Sequence, residues 1–76
     1  MSIPIHPVPS EVDRRIGSRV AVRRIALGMT QDQLALSLGL TEEQLDGLER
    51  GESRFAPGMI IDLCGILNVQ PSTFFV

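Results

Sequence analysis

The sequence predicts an all-α domain of five short helices, and three observations carry that prediction. Apolar residues recur at spacings of three and four, with no strand-like alternation and no internal repeat. Ser10, Thr30 and Thr41 are followed three residues later by Asp13, Gln33 and Gln44, the arrangement in which a side chain caps the first turn of a helix and is capped in return. Gly28, Gly39, Gly51 and Asn68 stand where the apolar stretches end, and each can take the left-handed conformation that closes a helix.

Residues 1–9 contain Pro4, Pro7 and Pro9, cannot sustain a helix, and read as a mobile Pro-rich N-terminal arm ahead of a domain over residues 10–76. The first helix starts at Ser10, carries Val12, Ile16, Val20 and Leu27 at helical spacing, and ends near Gly28. Thr30 opens the second, whose buried stripe is Leu34, Ala35 and Leu38, and Gly39 ends it. Thr41 opens the third, about residues 41–50, with Leu45 and Leu48 on one face and a stop at Gly51. Between these two, Gly39, Leu40 and Thr41 form the compact turn of a helix-turn-helix. Gly39 admits the turn, Ala35 is small enough for the third helix to pack closely, and Leu34, Leu45 and Leu48 set the angle. Glu52 to Ala56 reads as a polar loop. Pro57 suits the first turn of a fourth helix, and its nearly continuous apolar positions Ile60, Ile61, Leu63, Cys64 and Leu67 imply that this helix is buried. Asn68 closes it, and Pro71 starts a last short turn ending in Phe74, Phe75 and Val76.

A chain of 76 residues has room for one core, and 43% apolar with 21% charged residues suits a folded domain and not a disordered tail. No apolar run has the length of a membrane span and the N-terminus has no leader-like pattern, so a cytoplasmic location without membrane attachment is expected. Cys64 and His6 are single and far apart, which argues against a metal site or a disulfide; Cys64 reads as a small core residue, and no cofactor is expected. Neither paired carboxylates in an obvious cleft nor a phosphate loop is present, so the chain is not expected to be an enzyme. All seven basic residues are arginines. Five of them lie in residues 11–29 against Glu11 and Asp13, a local charge of +3, whereas residues 30–76 hold two arginines against seven acids, −5. The total of −2 is unfavourable for a phosphate-bearing partner.

From Ile16 the chain reads IGSRVAVRRIALGMTQDQLALSLGLTEEQLDGLERG, then an apolar helix and LNVQPSTFF. In Arg24, the LGMTQDQLA stretch, the LGLT turn, the LERG end of the third helix and the LNV that follows, this resembles the Cro/repressor-like (XRE) helix-turn-helix family. The resemblance implies a five-helix lambda-repressor-like DNA-binding domain. It further implies a homodimer on double-stranded DNA, with the third helix in the major groove and half-sites about one helical turn apart. By the same resemblance Thr30 and Gln31 at the start of the second helix, and Arg50, Ser53 and Arg54 after the third, contact phosphates. Thr41, Glu42, Glu43, Gln44 and Gly47 face the bases, and Arg24 pairs with Glu49 to tie the first helix to the third.

Glu42, Glu43 and Asp46 depart from the family pattern, which favours neutral or basic residues there. A glutamate can accept from cytosine N4, and acids in a first turn also favour the helix dipole. Gly47 costs a helix interior about 1 kcal/mol and reflects either close packing or an eroded recognition helix. Arg15, Arg19 and Arg23 fall along one flank of the first helix, as a solvated face or as a contact for DNA backbone or an acidic protein. Of the terminal phenylalanines one should plug the core. The remaining apolar surface of Phe74, Phe75 and Val76 is a candidate dimer contact. The expected function is a sequence-specific DNA-binding transcriptional regulator. The alternative is a helix-turn-helix fold turned protein-interaction module, antitoxin-like or adaptor, with weak or no DNA binding and a protein partner.

Overall fold

The computed structural model describes residues 10–75. The expected arm at residues 1–9 and Val76 lie outside them. Four α-helices, α1 (Glu11–Ala26), α2 (Gln31–Leu38), α3 (Glu42–Glu49) and α4 (Pro57–Leu67), are followed by a single 3₁₀ turn, Pro71–Phe75. The fifth element is therefore a turn: it has five residues, begins with a proline that has no N–H to donate, and is tightened by a Thr73 N–H bond to the Gln70 carbonyl at 3.0 Å.

The three predicted caps form. Ser10 Oγ accepts from the Asp13 amide and Asp13 Oδ2 from the Ser10 amide; Thr30 and Gln33, and Thr41 and Gln44, repeat the exchange at 2.8–3.1 Å. Gly39 closes α2 at φ 71° and Asn68 closes α4 at φ 56°. Since the first turns of α1, α2 and α3 are satisfied locally, the orientation of α2 and α3 is left to packing.

α1 packs against α3 and the terminal turn, while α2 packs against α3 and α4. The shared core holds Ile16 and Val20 of α1, Leu34 and Ala35 of α2, Leu45 and Leu48 of α3, Leu63 and Leu67 of α4, with Phe55 and Phe74. Three sequence expectations are corrected. Val12 and Leu27, expected in the stripe of α1, are exposed: Val12 lies roughly a quarter-turn off the side that turns Asp13, Ile16 and Val20 inward, and Leu27 follows the last residue of the helix. α4 is buried along one edge only: Leu63 and Leu67 are enclosed, Ile60 and Cys64 are half-buried, and Ile61 is 70% exposed, because α1, α2 and the terminal turn all meet α4 from its inner side. The loop after α3 is not wholly polar, since Phe55 turns into the core.

Gly17 lies where α1 crosses α3. A Cβ there would collide with the Leu48 carbonyl oxygen and stand 3.0 Å from that of Glu49, so the two backbones approach more closely than any other residue allows.

Candidate nucleic-acid interface

The helix-turn-helix is held from within. The Leu40 amide bonds to the Ala35 carbonyl at 2.9 Å across the turn, and Leu34, Ala35, Leu45 and Leu48 are all under 5% exposed between α2 and α3. Packing of this kind leaves the first turn of α3 outward, with Thr41, Glu42, Glu43 and Gln44 exposed. The side chains of Glu42 and Glu43 have no hydrogen bond or ion pair among the described residues. The Gln44 oxygen accepts from Thr41, which fixes the amide nitrogen as the group left to donate outward.

Arg24 and Glu49 fix α3 from behind. Arg24 Nε donates to Glu49 Oε2 at 2.7 Å and Nη2 to Oε1 at 3.0 Å, a two-point fork, while Nη1 donates to the Met29 carbonyl at 2.8 Å. Both side chains are largely enclosed, 12% and 5% exposed. The Glu49 hydrogen bond raises the Arg24 pKa above its ordinary value against the opposing effect of burial.

Gln31 stands at the first position of α2, but its side-chain donors point into the protein. Nε2 donates to Asp46 Oδ1 and to Glu49 Oε1, both at 3.0 Å, so both of its hydrogens are used. As the structure stands, Gln31 can offer a phosphate its main-chain N–H and not its side-chain amide. Asp46, read from sequence only as an acid near the surface, joins the two elements: its other oxygen pairs with Arg50 Nε at 3.1 Å. Thr30 is exposed at the same helix start, its hydroxyl oxygen accepting from Gln33.

Gly47 is half-buried, and Ser53 Oγ lies 3.2 Å from the place a Cβ would occupy. An alanine there would press on the Ser53 side chain of the following loop, which would have to give by a few tenths of an ångström. That loop is anchored by Asp13, which sequence reading took only as a cap. Asp13 is 5% exposed and accepts from the Phe55 amide at 3.1 Å and from Ser10, and Arg54 lies 3.6 Å away. Burial pushes its pKa up, but the amides of Ser10 and Phe55, the Ser10 hydroxyl and Arg54 outweigh it and hold the carboxyl below its ordinary value. An acid capping α1 thereby sets the position of Ser53 and Arg54. Gly17 was also missed; a glycine inside a helical stretch was the available signal.

Arg15, Arg19 and Arg23 lie together along a groove on α1 that Val22, Ala26 and Thr73 also line. Phe74 is the core plug at 1% exposed, which removes it as a contact surface, whereas Phe75 is 56% exposed. No helix among the described residues is long and apolar enough to cross a membrane.

Comparison with known proteins places these features in a family. The model of the family described as helix-turn-helix matches residues 20–74. Over 67 residues the chain is 40% identical to an uncharacterized HTH-type transcriptional regulator of Sinorhizobium medicae, covering 88% of this chain and 48% of that protein. The chain thus spans about half the length of the curated relatives it matches. Among solved structures, the restriction-modification controller protein C.AhdI from Aeromonas hydrophila is similar at a TM-score of 0.74 and 31% identity, over 82% of this chain and 94% of that one. The biofilm master regulator SinR, solved in complex with DNA, has a TM-score of 0.71 at 22% identity over 80% of this chain and 98% of that one, a likeness of fold.

Proposed function

The chain belongs to the helix-turn-helix family, of the Cro/repressor-like (XRE) type its sequence resembles, and from that premise we propose that it is a sequence-specific DNA-binding transcriptional regulator acting as a homodimer. The observation that carries the reading is the outward first turn of α3, where Thr41 to Gln44 project from a rigid two-helix unit with no internal partner for either glutamate. Seated in the major groove, Glu42 and Glu43 accept from exocyclic amino groups such as cytosine N4, and Gln44 donates through its amide nitrogen. Gly47, backed by Ser53, lets the backbone approach the bases.

Phosphates are met by the main-chain amides of Thr30 and Gln31 at the start of α2, and by Arg50, Ser53 and Arg54 beyond α3. Asp46 draws Arg50 and Gln31 toward one another, and Asp13 holds the loop that carries Ser53 and Arg54. Phe75, 56% exposed at the end of the terminal 3₁₀ turn, supplies apolar surface for the contact between two copies. With DNA as partner, the protein works in the cytoplasm, the compartment that holds DNA in bacteria such as those of its relatives.

The test is a titration against pooled genomic fragments at two salt concentrations, with the retained fragments sequenced. Enrichment of a two-fold site whose affinity falls steeply with salt is expected. Failure to retain DNA at low salt would transfer the outward face of α3 to a protein partner. In the same assay, Glu42→Gln with Glu43→Gln should alter the selected sequence; a uniform gain across all sequences would remove both residues from base contact.

A further inference from the structure

We infer that Asp46 is an internal competitor for DNA phosphate, its carboxylate engaging donors of Gln31 and Arg50 and so weakening the contacts that all sequences share. The inference rests on the DNA-binding reading above and deepens it. That reading places Gln31, at the start of α2, and Arg50, just past α3, against phosphates, yet both side chains converge on one acid. Gln31 Nε2 donates to Asp46 Oδ1 at 3.0 Å, and Arg50 Nε lies 3.1 Å from Asp46 Oδ2. A carboxylate offers paired oxygens and a negative charge, the same features by which a phosphate recruits an amide and a guanidinium.

The other paired acids near this surface are built differently. Glu49 is enclosed and forks with Arg24, and Asp13, which also has an arginine nearby, is enclosed and accepts from the amides of Ser10 and Phe55. The Asp46 side chain is 43% exposed, and among the described residues its carboxylate accepts from no main-chain amide. Gln31 keeps a second acceptor, Glu49 Oε1 at 3.0 Å, so its link to α3 does not depend on Asp46. The Arg50 side chain is 67% exposed and within reach of a duplex. A phosphate that takes either donor must displace Asp46 or sit beside a second anion, which lowers affinity for every sequence alike. Retention on DNA then depends more on the base contacts of Thr41 to Gln44.

The probe is a fluorescein-labelled DNA duplex of mixed sequence, about 24 base pairs long, titrated with the chain at several salt concentrations and followed by anisotropy. Asp46→Ala and the isosteric Asp46→Asn should each bind roughly three- to tenfold more tightly at low salt. The slope of log affinity against log salt should steepen by about 1, because Arg50 is released to neutralise a phosphate. A merely structural role for Asp46 would not produce that steepening. In an Arg50→Ala background the gain from Asp46→Ala should shrink to about twofold or less. An undiminished gain there would make Asp46 a plain repulsive charge and overturn the inference. Equal or weaker binding by both Asp46 variants would also overturn it, and would leave the DNA-binding reading standing. If the parent chain fails to bind the duplex at low salt, that reading falls and the inference with it.

Discussion

Replacing Gly17 by alanine tests the packing that sets the angle of α3. In an open helix interior this change stabilises by about 1 kcal/mol, because glycine loses more backbone freedom on folding. Here the new methyl would meet the Leu48 carbonyl oxygen well inside contact distance, with Glu49 O at 3.0 Å and its carbonyl carbon at 3.2 Å. All three are backbone atoms of α3 and cannot rotate aside, so α1 and α3 must separate and loosen Ile16, Val20, Leu45 and Leu48 together. Overpacking of this kind costs about 1–3 kcal/mol, and the absence of any flexible neighbour puts Gly17→Ala at the upper end. After the helix gain is subtracted, a net loss of about 2 kcal/mol remains, against a total of about 4–11 kcal/mol for a domain of this size. Urea denaturation should show a lower midpoint at unchanged slope, and thermal melting should fall by roughly 8–16 °C. DNA affinity should drop with it, since the helix that moves is the one proposed to enter the groove. A Gly17→Ala protein as stable as the parent, or more so, would refute the close approach and the rigid placement of α3 drawn from it.

Arg24→Ala should cost about 3–5 kcal/mol in the same denaturation assay, because Glu49 would be left enclosed without its cation; Arg24→Met with Glu49→Leu should recover most of the loss. Gln31→Ala should destabilise by about 1–3 kcal/mol through the lost bonds to Asp46 and Glu49; unchanged stability would show that the side chain is spare and free for phosphate. Asp13 has a folded pKa below its ordinary 3.8, so its contribution is fully present above that value and is lost as pH falls through the lower folded value. Melting temperatures taken from about pH 5 to pH 2 should fall, and Asp13→Asn should flatten the part of that fall belonging to this carboxyl. Phe75→Ser should leave the melting temperature nearly unchanged while shifting sedimentation from dimer to monomer, because Phe75 is 56% exposed in the single chain.

The helices were legible in the sequence because their determinants are local. Ser10 with Asp13, Thr30 with Gln33 and Thr41 with Gln44 satisfy orphan amides within a single turn, and Gly39 and Asn68 end helices through their own backbone freedom. The spacing of Leu34, Ala35, Leu45 and Leu48 identified the inner face of the helix-turn-helix, and the family resemblance singled out the first turn of its second helix, Thr41 to Gln44, which is exposed. Contacts between residues distant in the chain were decided only by tertiary structure. Asp13 meets the Phe55 amide across 42 positions, and neither residue type signals that bond. Gln31 was read as a phosphate ligand from the family resemblance, yet the approach of α3 brings Asp46 and Glu49 within 3.0 Å, and two carboxylates are stronger acceptors than water. Ile61 and Leu63 are alike in composition and periodicity, but one is 70% exposed and the other enclosed, because which edge of α4 meets α2 depends on the relative placement of helices. Periodicity and capping act within a turn or two of chain; the partner of a buried charge and the crossing at Gly17 come from elements meeting in space.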